Sequence, residues 1–184
     1  MRPLLPLLLL AAPLAAQVPI DSTNQDRANL VFMVQVVRHE IEPAVTAMPA
    51  TKFGFAPTQG EFTGVRSFAR EAKHLSATNY ILASAALGID PPADAGDEMG
   101  PDSVVTKDQI IAYMRGSFDL LERAARAYGD ARIPVRTSPI SPFQGRSVTR
   151  LALIVESTVH AFDHYGQMVE YLRMNGIVPP ASRR

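Results

Sequence analysis

The chain has 184 residues, of which 47% are hydrophobic and 20% charged, with 18 basic and 18 acidic side chains and no cysteine. This composition is typical of one soluble globular domain. The absence of cysteine excludes disulfides, iron–sulfur clusters and thiolate metal sites. Balanced charge without a basic cluster argues against nucleic acid as a partner. Any transition-metal site must therefore be built from histidine, aspartate or glutamate.

Residues 1–16 have the layout of a secretory signal peptide. Arg2 precedes an apolar run, and small residues follow the run. The run is too short to span a bilayer as a mature helix. We therefore expect cleavage after Ala16, a mature domain of residues 17–184, and an exported protein, periplasmic or secreted, with no membrane contact after cleavage. An uncleaved membrane anchor is the alternative.

Helical periodicity predicts a first helix at about residues 22–47 and a second at about 63–87. Ser22 or Thr23 can cap the first helix, and Pro43 is expected to kink or fray its end. Its apolar stripe recurs every three or four positions, at Leu30, Val34, Val37, Ile41 and Ala44. Gly88 ends the second helix, and a loop rich in proline, glycine and aspartate follows.

A capping box of Thr106 and Gln109 starts a third predicted helix, which continues to about Tyr128. After a second proline-rich loop, a fourth helix is expected from about Ser147 to Asn175, ahead of Gly176. No segment shows the alternation of a strand. Four amphipathic helices without a sheet must bury their stripes against one another, so the predicted fold is an all-α four-helix bundle. The two long loops permit crossover connections.

The fourth predicted helix carries a polar row where a bundle helix should be apolar. At about 100° per residue, one narrow arc contains Leu153, Glu156, His160, His164, Gln167, Tyr171 and Met174. Buried polar groups are costly unless they are paired, so the arc faces either solvent or a polar pocket. Apolar residues on both flanks of the arc favour the pocket.

Histidines four residues apart on a helix are one turn apart, so His160 and His164 could reach one metal ion. The pair alone is a weak signal, because two histidines do not complete a zinc site. His74, in the middle of the second helix, points toward the core among small residues. It is either a third ligand or a core imidazole bonded to a buried neighbour. His39 is expected to be exposed near a helix end.

Three segments make the chain resemble the DinB-like family of small four-helix-bundle metalloproteins. They are "MPATKFGFAPTQGEFT", "FAREAKHLSATNYILASAALG" and "HAFDHYGQMVEYLRMNGIVPP". The family takes one metal ligand from the second helix and an H-x-x-x-H pair from the last. The resemblance therefore implies His74, His160 and His164 as ligands here, in helices that run up-down-down-up.

Three neutral imidazoles resemble the protein part of a catalytic zinc site. The expected cofactor is one divalent transition metal, with zinc first and nickel, iron or manganese as alternatives. Glu156, one turn before His160, is a candidate general base or a group that orients the ring. Gln167 and Tyr171 lie one and two turns beyond His164 and are candidates for binding a substrate. For all three residues the alternative is packing, or a bond to a neighbouring helix.

Two functions from different classes follow from this set of residues. One is an exported metal-dependent hydrolase or transferase acting on a small molecule through the three-histidine site. The other is a non-catalytic metal-binding module used in stress response or sequestration. A small molecule is the expected ligand, and the bundle is also compatible with a homodimer.

Overall fold

The computed structural model describes residues 22–58, 63–92, 95, 98–127, 129, 134–137 and 139–183. Its long helices are α1 (Ser22–Ala47), α2 (Phe68–Leu87), α3 (Lys107–Arg126) and α4 (Arg150–Met174). Short 3-10 turns follow α1 at Ala50–Lys52 and α4 at Pro180–Ser182. The predicted four-helix bundle is confirmed. The predicted signal peptide, residues 1–16, lies outside the described residues.

Side-chain contacts give the direction of α3 relative to α1. The amide of Gln35 donates to Glu122 (3.0 Å), and the ammonium of Lys107 donates to the main-chain oxygen of Thr46 (2.7 Å). The end of one helix therefore lies beside the start of the other, and the pair is antiparallel.

Helix α4 runs parallel to α1 and antiparallel to α2. The hydroxyl of Tyr165 donates to Glu40 midway along the first pair, and Lys52, just beyond α1, reaches the main-chain oxygen of Asn175. The order is therefore up-down-down-up, as the family resemblance implied. Because α2 and α3 point the same way, the connection between them has to cross the length of the bundle, which residues 88–106 are long enough to do.

The core sits where the apolar stripes of all four helices meet. On α1 the predicted stripe residues Val34, Val37, Ile41 and Ala44 are buried, and Leu30 packs partly buried against the core. The other helices contribute large buried side chains, among them Phe68, Leu75, Leu82, Met114, Phe118, Leu121, Leu153, Met168 and Leu172.

Helix α1 has the predicted bounds and continues past Pro43 to Ala47; the side chains of its two candidate caps are outside the description. The predicted capping box of α3 is present. Helix α3 ends at Arg126, and Tyr128 is not among the described residues. Helix α2 starts at Phe68, five residues later than predicted, because Ser67 caps it by accepting from the Arg70 amide.

The expectation that the chain forms no strand was wrong. Strands β1 (Pro134–Arg136) and β2 (Ser147–Thr149) pair antiparallel. Three residues are too few for an alternating pattern to be visible in the sequence. Because Ser147–Thr149 form β2, helix α4 starts at Arg150 and not at Ser147 as predicted. The side chain of Thr149 caps the helix by accepting a hydrogen bond from the Ala152 amide.

Within the described ranges, none of the helices combines the length and the hydropathy that crossing a bilayer requires.

Candidate metal centre

Three histidines from two helices converge inside the bundle. The Nε2 atom of His160 lies 3.2 Å from Nε2 of His74 and 3.0 Å from Nε2 of His164. His74 and His164 are 5% and 4% exposed, and His160 is half-buried. Two ligands of a tetrahedral zinc ion, each about 2.0–2.1 Å from it, are about 3.3 Å apart. The observed separations therefore suit atoms that share one coordination sphere.

The antiparallel packing of α2 and α4 brings these side chains together. His160 and His164 are one turn apart on α4, and His74 faces them from α2. The hydroxyl of Tyr171 donates to the main-chain oxygen of Arg66 (3.0 Å), which ties the start of α2 to the end of α4. Across the part of the chain that the structure describes, this is the one group of three or more candidate ligands with convergent atoms.

The outer nitrogen of His74 is held by the loop between α2 and α3. Its Nδ1 atom lies 2.6 Å from the main-chain oxygen of Glu98. A carbonyl oxygen can only accept, so Nδ1 carries the proton in this contact. The lone pair of the neutral ring is then on Nε2, which points into the cluster. This is the orientation that a metal ligand needs.

The outer nitrogen of His164 faces a carboxylate. Its Nδ1 atom lies 2.5 Å from Oε2 of Glu71, and the two side chains are 5% and 2% exposed. The two atoms are close enough to form an ion pair, but their orientation does not meet the angular requirement of a hydrogen bond. A carboxylate favours the proton on Nδ1, which again leaves Nε2 as the free donor atom.

His160 differs from the other two histidines. Its Nδ1 atom is buried and has no hydrogen-bond partner among the described residues. Because Nε2 of both neighbours carries a lone pair, a proton on Nε2 of His160 gives the metal-free cluster its one shared donor. To bind a metal through Nε2, His160 would take the other neutral tautomer, with its proton on Nδ1.

Burial keeps the imidazoles of His74 and His160 neutral. Desolvation lowers the pKa of His74 to about 4, partly opposed by its bond to the Glu98 carbonyl, and the Arg66 charge lowers it further. Desolvation, followed by the neighbouring His164, lowers the pKa of His160 to about 3. Neutral imidazole is the form that binds metals, so both rings are available as ligands at neutral pH.

Of the other predicted site residues, Gln167 and Tyr171 have hydrogen-bond partners outside the histidine cluster. Glu156 is half-buried on α4, and no hydrogen bond joins it to the three histidines within the described ranges. The amide of Gln167 donates to Asp163 on the same helix (2.9 Å). Tyr171 is buried, and burial together with the charge of Glu71 raises its pKa. The roles predicted for Glu156, Gln167 and Tyr171 stay predictions.

Two residues that contact the histidines were missed by the sequence reasoning. Glu71 lies three positions before His74, so an E-x-x-H spacing on α2 places both on one face. That spacing is visible in the sequence, but the polar arc of α4 favoured Glu156 as the carboxylate near the site. Glu98 acts through its main-chain oxygen, and no side-chain pattern could have found it.

Comparison with known proteins gives a family and a fold. The family model described as the DinB superfamily matches residues 33–168, a range that includes all three histidines. The crystal structure of a DinB-like protein from Bacillus cereus ATCC 10987 is similar, with a TM-score of 0.58 and 16% identity. That match covers 88% of this chain and 95% of the other. At 16% identity it is evidence for a shared fold alone. No curated protein matches the chain significantly.

Proposed function

We propose that this chain, which belongs to the DinB superfamily, binds one divalent transition-metal ion through His74, His160 and His164. The observation that carries the proposal is the convergence of their three Nε2 atoms inside the bundle. The outer nitrogens of His74 and His164 face acceptors, which leaves the inner nitrogens free to bind.

The donor set favours zinc. Three neutral imidazoles suit zinc, nickel and iron better than calcium or magnesium, which prefer oxygen ligands. Zinc is our first choice, with nickel, iron or manganese as alternatives.

We further propose that the protein is an exported hydrolase or transferase acting on a small molecule. Three protein ligands would leave a coordination position for another molecule, as in catalytic rather than structural zinc sites. No aspartate or glutamate joins the cluster as a fourth ligand among the described residues. An ion bound there would supply a Lewis acid for polarising a substrate. The protein groups would hold the ion and exclude bulk water around it.

A non-catalytic metal-binding module is the second candidate, and one observation favours it. Glu71 is the carboxylate that contacts the cluster, and it lies buried against His164. Glu156 has no hydrogen bond to the histidines in the described chain. Neither carboxylate is seen in position to transfer a proton, which a general acid or base must be. A panel of hydrolase and thiol-transferase substrates decides between the two candidates.

Metal analysis of untagged protein tests the binding proposal. We expect about one zinc or similar ion per chain, lost on His160→Ala. His39→Ala is the matched control, because His39 is exposed on α1. Equal loss of metal in both variants would show that the ligand set is wrong.

The export proposal rests on the leader-like sequence of residues 1–16. Mass spectrometry of a periplasmic or secreted fraction is expected to find a chain that begins near Gln17. A full-length species confined to membranes would contradict it.

A further inference from the structure

We propose that Glu71 positions His164 for metal binding and supplies the one negative charge of the metal centre. The inference rests on the proposed metal site and assigns a role to a residue outside its ligand set. It concerns the protein's own side chains and does not depend on which reaction the centre serves.

Glu71 lies behind the ring of His164, on the side away from the other two histidines. Glu71 and His74 are one turn apart on α2, and His160 and His164 are one turn apart on α4. In the antiparallel pair, His74 meets His160 and Glu71 meets His164. The carboxylate contacts Nδ1 of His164 at 2.5 Å, on the side of the ring away from the cluster. The placement resembles the carboxylate–histidine–metal arrangement that orients a ligand ring, and the contact here is an ion-pair approach without the alignment of a hydrogen bond.

Burial makes a purely structural role for Glu71 costly. The residue is 2% exposed, and no lysine or arginine forms an ion pair with it in the part of the chain that the structure describes. A buried carboxylate without a cationic partner costs several kcal/mol. A divalent ion on Nε2 of His164 would place a positive charge across the ring from it. The charge of the loaded centre would then fall from +2 to +1.

Glu71 also differs from the other outer contact. His74 is held by the main-chain oxygen of Glu98, which side-chain substitution does not remove. The Nδ1 atom of His160 has no partner among the described residues. Of these outer contacts, the one to His164 is made by a side chain. Replacing Glu71 therefore changes how His164 is held.

The test compares Glu71→Gln with Glu71→Ala. Glutamine keeps the size and an acceptor oxygen but removes the charge, whereas alanine removes all three. Glu42→Gln is the control, because Glu42 is a partly buried carboxylate on α1 that pairs with Arg38. Zn(II) affinity is measured by competition with a chromophoric chelator, and ligand geometry by the visible absorption of the Co(II)-loaded protein.

We expect Zn(II) affinity to fall roughly 10- to 100-fold in Glu71→Gln, with the Co(II) spectrum retained. Glu71→Ala is expected to bind still more weakly and to show an altered spectrum, while Glu42→Gln matches the wild type. Wild-type affinity in both Glu71 variants would overturn this inference and leave the metal site standing. A wild-type protein that binds neither Zn(II) nor Co(II) would overturn the proposed function as well.

Discussion

The Nδ1 atom of His74 lies 2.6 Å from the main-chain oxygen of Glu98, whose backbone is left-handed with a φ of 72°. A second hydrogen bond holds the same loop three residues later. The main-chain oxygen of Pro101 accepts from the ammonium of Lys73 at 2.7 Å. A left-handed residue other than glycine costs about 1–2 kcal/mol. The loop between α2 and α3 thus bears a local strain at the residue that orients a ligand ring.

Replacing Glu98 by glycine is expected to relieve the backbone strain, a contribution of up to about 1 kcal/mol to the free energy of unfolding, because glycine adopts positive φ without strain. Metal affinity should be unchanged, since the main-chain oxygen remains. Gly100→Ala is the opposite change in the same loop. Its φ is 71°, and an added Cβ would lie 3.3–3.4 Å from Lys73 atoms, so we expect destabilisation. Denaturant titration of both variants measures the difference, and equal stabilities would contradict it.

The stability of the metal-free protein should fall in acid. Folding depresses the pKa of His74 to about 4 and that of His160 to about 3, from an ordinary value of 6.5. The unfolded chain therefore binds more protons below pH 6.5, and the free energy of unfolding decreases as pH falls from 6.5 toward 3. Each group contributes at most about 1.4 kcal/mol per pH unit.

Denaturant titrations of chelator-treated protein at pH 7, 5.5 and 4.5 measure this slope. His160→Gln should make it shallower, whereas His39→Gln, a change at an exposed histidine of α1, should not. A slope that His160→Gln leaves unchanged would assign the acid sensitivity to other groups.

Two helical glycines are expected to respond oppositely to alanine. At Gly116 on α3 an added Cβ would overlap the hydroxyl oxygen of Tyr80, whereas at Gly166 on α4 it would meet nothing within 4 Å. Gly166→Ala should raise the free energy of unfolding by about 0.8–1 kcal/mol through helix propensity. Gly116→Ala should be less stable than Gly166→Ala by about 1–3 kcal/mol, the usual cost of overpacking. Thermal or denaturant unfolding compares them, and equal effects would mean that Tyr80 moves aside freely.

Glu156→Gln is expected to leave the metal content unchanged, because Glu156 is not one of the three convergent ligands. If the protein turns over a substrate from the panel, the same variant should lower that activity. Metal analysis beside His164→Ala is the measurement. Loss of the ion as complete as in the histidine variant would make Glu156 a ligand.

Local patterns in the sequence determined the helices. The bounds of α1 and the capping box of α3 were predicted because a 3.6-residue repeat and a cap are encoded within one short stretch. The pair His160 and His164 was visible for the same reason. His74 was a candidate from its place on the second helix, and the family resemblance favoured ligation over a core role, so the sequence was enough to name all three convergent histidines.

Only the tertiary structure decided which other groups reach them. The strand pairing that moves the start of α4 to Arg150 joins residues eleven to fifteen positions apart, and no local repeat encodes it. Glu71 meets His164 across two helices that are distant in the chain, and Glu98 reaches His74 through a main-chain oxygen held in a left-handed turn. Such contacts depend on helix direction and loop path. Both are set by how the whole chain buries its apolar surface rather than by any one segment.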